Sequence, residues 1–135
     1  MGLHNEARLD GRMLRLIKQL NQYLGHFPRF ERYGLSQQIR TAAYDTYALI
    51  VAAQKPYSRK TTLGQLDVRH EQLRMLVRLA GELGYFGWRD ERQDGGPQER
   101  ALRRLHTIEL MIDEVGMLIG GWIRSYRDKE GAKRQ

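Results

Sequence analysis

Apolar positions recur along the chain at alternating three- and four-residue steps, the spacing of one helix face, and nowhere in the strict alternation of a half-buried strand. Leu9, Met13, Leu16, Ile17, Leu20, Tyr23, Leu24 and Phe27 form the first stripe. They predict a helix over about 8–27, closed where Pro28 forces the residue before it out of α space. Leu35, Ile39, Ala42, Ala43, Thr46, Leu49, Ile50 and Ala53 form the second, over about 34–54. Ser36 is its expected N-cap, with a start one turn earlier as the alternative. Leu63, Leu66, His70, Leu73, Leu76, Val77, Ala80 and Leu83 form the third, over about 62–86, with Met75, Leu79 and Phe86 as a second ridge. The fourth, over about 97–127, comprises Ala101, Leu105, Ile108, Ile112, Val115, Ile119, Trp122 and Tyr126. Pro97 stands near its first turn, and residues 128–135 read as a basic, frayed tail. Charged segments broken by Pro and Gly join the helices at 54–60 and 87–97. Four helices on short connections within one domain over 1–135 predict an all-α, antiparallel up-down-up-down four-helix bundle.

The fourth helix carries more apolar surface than one core face needs. Leu110, Met111, Met117, Leu118 and Ile123 lie off its stripe. Gly116, Gly120 and Gly121 lie within it, each costing about 0.8–1 kcal/mol relative to Ala in a helix interior. Such residues are justified where another backbone comes very close. The expectation is a helix that packs in its own bundle on one face and against a second subunit on another. Gly116, Gly120, Gly121 and Trp122, with Met75 and Leu79 of the third helix, are the expected oligomer interface. The GxxxG spacing at 116–120 stands beside Asp113 and Glu114, so it marks close packing of helices outside a membrane.

Charge narrows the range of partners. The 135 residues hold 23 Lys and Arg against 16 Asp and Glu, a net charge of +7, and only five of the 23 are Lys. Arg presents a planar fork suited to phosphate and carboxylate, so the bias favours a nucleic acid or an acidic protein. Arg8, Arg12 and Arg15 repeat at helical spacing, where like charges repel and an external anion would relieve them. Lys55, Arg59 and Lys60 crowd the second connection, in reach of a phosphate or simply solvated. Arg74 and Arg78 lie one turn apart, with Glu71 and Glu82 placed to pair with them. The absence of cysteine excludes disulfides, thiolate metal sites and a cysteine nucleophile, and fits a cytoplasmic setting. MGLHNEARLDGR meets charge too soon for a secretory signal, and no apolar run is long enough to span a membrane.

Catalytic patterns are absent from the sequence. Gly95-Gly96 lacks the Gly-Lys-Ser/Thr of a phosphate loop. A di-iron bundle needs Glu-x-x-His on two helices. Here His106 precedes Glu109, and His70 follows Asp67. With Asp113 these are expected to serve as bundle-edge polar contacts. Ser36 and Ser125 have no evident His–Asp partners. No metal, no cofactor and no enzymatic activity are expected.

Several segments together carry a family resemblance. Phe27-Pro28-Arg29 breaks the first helix, and Leu35 and Ile39 open the second. LRMLVRLAGEL (73–83) lies in the third and IDEVGMLIGGWIRS (112–125) in the fourth. In order and spacing, over about 9–127, the chain resembles the accessory variability determinant proteins of diversity-generating retroelements. It is also similar to the four-helix-bundle proteins encoded by intervening sequences in 23S ribosomal RNA genes, toward which ERYGLSQQIRTAA leans. The first resemblance implies a basic homopentameric barrel that binds the element's reverse transcriptase, RNA and DNA. Such a protein supports mutagenic retrohoming, in which template RNA is copied with errors at adenines, and has no polymerase activity itself. By motif position, Arg74, Arg78 and Arg29 would contact reverse transcriptase or RNA. The second resemblance implies an oligomer with a structural role.

Overall fold

A computed structural model of the chain describes residues 3–88 and 96–134. Four helices account for most of them: α1 (Leu3–Leu24), α2 (Leu35–Ala53), α3 (Arg59–Glu82) and α4 (Pro97–Arg134). Among the described residues there is no strand. Short 3-10 turns at Arg29–Glu31, Pro56–Ser58 and Tyr85–Gly87 fill the corners. Each helix packs along its neighbours in sequence, and α4 closes the square against α1. The stripes meet at the centre, where Met13, Leu16, Ile39, Ile50, Leu66, Leu73, Val77, Ile108 and Val115 are fully buried.

The helix ends depart from the sequence-based expectation, each for a local reason. α1 stops at Leu24 rather than about 27, as Gly25, His26 and Phe27 tighten into a turn before Pro28. At the start of α2 the expected cap, Ser36, lies inside the first turn and is buried. Its place is taken by Glu31, whose Oε1 accepts the N–H of Leu35 at 3.2 Å. α3 begins at Arg59, three residues before the expected 62, because Pro56 sets up a 3-10 turn that leads directly into it. It ends at Glu82, not 86, because Gly84 turns left-handed with φ +77. That conformation costs a glycine little. Leu83, expected in the core, is therefore half exposed at the helix end.

The largest correction concerns the C-terminal segment. Residues 128–134 continue α4 as helix instead of fraying, with Lys133 Nζ 3.7 Å from Glu130 one turn back. At 38 residues α4 is roughly 57 Å long at 1.5 Å per residue. It outreaches the other three helices.

One end of the bundle is closed by aromatic rings. Phe27 meets Phe86 at 5.1 Å and Tyr85 at 5.6 Å between centroids, and Tyr23 meets Phe86 edge-on at 6.2 Å. Edge-to-face geometry of this kind is the favoured one for paired rings. The Tyr85 hydroxyl has a raised pKa, from burial and then from its hydrogen bond to the Glu31 carboxylate.

α3 and α4 come together through reciprocal notches. A Cβ on Gly81 of α3 would stand 2.7 Å from Leu105 Cδ2 of α4. A Cβ on Gly116 of α4 would stand 2.8 Å from His70 Cε1 of α3. Each helix thus lodges a side chain over a glycine of the other. The close partner of Gly116 within the chain is thus His70. Gly116→Ala should lower unfolding stability by about 1–3 kcal/mol, the usual scale of overpacking. Gly64→Ala, in α3 with nothing within 4 Å of its Cβ position, should instead raise it by up to about 1 kcal/mol. Urea denaturation of the two variants checks the opposite signs.

Candidate functional site

The α3–α4 seam brings together several of the residues singled out by the sequence, among them Arg74, Arg78 and Gly116. His70, nearly inaccessible, has Nε2 2.9 Å from the carbonyl oxygen of Ile112. That geometry fits a neutral imidazole donating Nε2–H across the seam. Desolvation lowers the His70 pKa, against an opposing contribution from this hydrogen bond. A turn further on, Arg74 ties the two helices together. Its guanidinium binds the Asp113 carboxylate of α4, and its Nε lies 3.4 Å from Glu71 Oε2. The hydrogen bond to Asp113 is the main reason that its pKa is raised. Arg78 stands beside it, exposed, and forms no ion pair among the described residues, with Glu82 included. Together Glu71, Arg74, Arg78, Glu82 and Glu109 rim a cleft of about 370 Å³ floored by Leu105 and Ile112.

Unburied apolar side chains lie on the same two helices. Met75 and Leu79 of α3 are 51% and 46% exposed, and Leu110 and Met117 of α4 are 55% and 75% exposed. Gly120 and Gly121 are half-buried, with only the Arg124 side chain near their Cβ positions. Trp122 points the other way. It is 5% exposed, sits in the core and carries the Arg59 guanidinium 5.8 Å from its ring centre. Its assignment to an interface between subunits is therefore corrected to a core role.

The other predicted cations are dispersed. Arg12 is drawn to α4 by Glu114, at 2.7 Å, so its charge is compensated within the chain, while Arg15 is exposed. Arg59 donates to the carbonyls of Ala53 and Gln54, both at 2.8 Å. That satisfies the otherwise open end of α2, so Arg59 has a structural role in the chain. Lys55 and Lys60 of the same connection are exposed. Arg29 lies at the opposite α1–α2 corner. His106 and Glu109 are exposed on α4, and Asp113 is engaged by Arg74. Among the described residues no three His, Cys, Asp or Glu side chains converge as a metal would require, and no helix is long and apolar enough to cross a membrane.

A family model described as bAvd-like matches residues 9–94. The chain belongs to this family of accessory variability determinant proteins. No curated protein matches the chain. The bAvd-like match spans most of α1 and all of α2 and α3, so it includes Arg74, Arg78, Met75 and Leu79. It ends before α4, which leaves the Gly-Gly-Trp segment outside it.

The buried imidazole predicts a pH dependence with a definite sign. With its folded-state pKa lowered, His70 favours folding fully while both states are neutral, above the ordinary value near 6.5. Below that pH the unfolded chain takes up the proton first, so stability falls and levels off only below the folded-state pKa. Urea midpoints measured from pH 7.5 down to pH 5 should drop more steeply for the wild type than for His70→Gln, which keeps a donor but does not titrate.

Proposed function

We propose that this bAvd-like protein is a non-catalytic accessory of a retroelement reverse transcriptase. It acts in the cytoplasm as a homopentamer that binds the polymerase and its template RNA, with affinity for DNA as well, and supports adenine-mutagenic cDNA synthesis during retrohoming. The observation that carries this reading is the α3 segment LRMLVRLAGEL. It lies within the family match and sets Arg78, exposed and in no ion pair among the described residues, beside exposed Met75 and Leu79. A basic residue on a partly apolar ridge suits a partner with both a charged and an apolar surface. Arg74 contributes less directly, because two carboxylates already neutralise it and it fixes the spacing of α3 and α4.

The assembly reading rests on surface left uncovered by a single subunit. Met75, Leu79, Leu110 and Met117 are exposed on the two helices that bear the cleft, and Gly120 and Gly121 of α4 have only the Arg124 side chain near their Cβ positions. Exposed apolar side chains favour burial between copies, and bare glycines permit close helix approach. Such packing would place the arginines of several subunits around one ring, which multiplies a potential that is weak for any one chain.

Two measurements test the proposal. Light scattering at micromolar concentration should give a mass several times the 15.8 kDa subunit, five times for a pentamer; a single-subunit mass overturns the assembly. Binding to structured RNA should weaken with salt at a log–log slope of about −0.9 per phosphate neutralised in duplex regions. Arg78→Ala should weaken pull-down of the reverse transcriptase or RNA by roughly tenfold, on the order of 1.4 kcal/mol. It should leave the oligomer intact, and Arg74→Ala should cost folding stability as well. Normal association by the Arg78 variant removes that residue from the site.

A further inference from the structure

We propose that the α1–α2 corner holds a second binding site, one that takes a phosphodiester of a single-stranded nucleic acid and stacks its bases on adjacent aromatic rings. The site is a pocket of about 320 Å³, walled by Gly25 and Pro28 and lined by Arg29, Arg32, Ser36 and Arg40. Three arginines on one small cavity give it a positive potential that favours an anion. The one carboxylate of this corner, Glu31, is not in the lining. It is occupied by the N–H of Leu35 and the hydroxyl of Tyr85.

Ser36 supplies the independent indication of a ligand. The residue is only 4% exposed and lines the pocket, and its hydroxyl makes no hydrogen bond to another described residue. The hydroxyl is not sealed from solvent, so it is free to donate to an anion in the pocket. It stands in the first turn of α2, where backbone N–H groups lack helical acceptors and the helix dipole favours negative charge. Arg40 is held in place by its Nε, which donates to Asn21 Oδ1 at 3.0 Å and leaves its terminal nitrogens available. An anion here would be met by a hydroxyl, a helix start and a preset guanidinium.

The neighbouring rings favour a nucleic acid strand over a free anion. Phe30 and Tyr33 are 71% and 80% exposed, far from the usual state of such residues. Phe30 is braced from behind by Trp88 at 5.8 Å and Tyr85 at 6.1 Å, so it is a supported platform rather than a loose ring. The Arg32 guanidinium lies 5.4 Å from the Tyr33 ring centre. Exposed rings next in sequence to basic residues, as Phe30 and Tyr33 are to Arg29 and Arg32, suit single strands, whose bases are free to stack. This site rests on the proposed nucleic-acid role but is separate from the α3–α4 cleft.

Fluorescence anisotropy with mixed-sequence 12-mer RNA and DNA probes, over a salt series, tests it on the full chain. Arg32→Gln should weaken binding about fivefold at 0.1 M salt and reduce the log–log slope by about 0.7. Phe30→Ala should weaken it by about fivefold or more with the slope unchanged, since stacking releases no counterions. Ser36→Ala should reproduce part of the Arg32 loss, and Lys18→Gln, on the exposed side of α1, serves as the charge-matched control. Phosphate alone protecting the corner while both 12-mers bind unaffected variants identifies an adventitious ion only and overturns it. If the wild type binds 12-mers and none of the corner variants differs from Lys18→Gln, this site is wrong and the accessory reading stands. If the wild type binds no nucleic acid, both fall.

Discussion

The approach of α3 to α4 is the constraint on which the molecule depends. Leu105 lies over Gly81 and His70 lies over Gly116, so each helix supplies both a projection and a recess. Two such contacts on one seam fix the axial register as well as the distance. With the register set, the His70 imidazole reaches the Ile112 carbonyl and Arg74 reaches Asp113. Moving either helix by one residue would bury the imidazole without an acceptor and strand a guanidinium on an apolar ridge. Polar groups at the seam thus specify the same alignment as the steric fit.

This constraint also decides where charge is available. Of the two arginines one turn apart on α3, the inner one is absorbed by the seam and the outer one is left to solvent. Arg59 and Arg12 are likewise drawn inward, to the end of α2 and to Glu114. The net positive charge of the chain is therefore not spread evenly over its basic residues. Some of them hold the bundle together, and Arg15, Arg29, Lys55, Lys60 and Arg78 remain to project a field.

The core was legible in the sequence because helical spacing and burial are two views of one periodicity. Leu9, Met13, Leu16 and Leu20, or Ile108, Ile112, Val115 and Ile119, could be assigned from their intervals alone. Helix ends were less legible. Spacing says nothing of a carboxylate one turn upstream, and Glu31 rather than Ser36 caps α2 for that reason. The glycines of α4 signalled close approach but not by what, and Gly116 turned out to face a histidine of its own chain. The distinction between Arg74 and Arg78 was equally hidden, because it depends on Asp113, 39 residues away from Arg74 along the chain. The α1–α2 pocket left the faintest trace. Arg29, Arg32, Ser36 and Arg40 are three, four and four residues apart, a helical spacing, but they straddle a 3-10 turn and the start of α2, so no single helix displayed them as one face.

The final turns of α4 have another consequence. Beyond Tyr126 the helix extends past its bundle, with a Glu130–Lys133 pair along it. Its last turns therefore carry Arg127, Asp128, Lys129 and Lys133 out from the packed interior, a charged extension exposed to solvent.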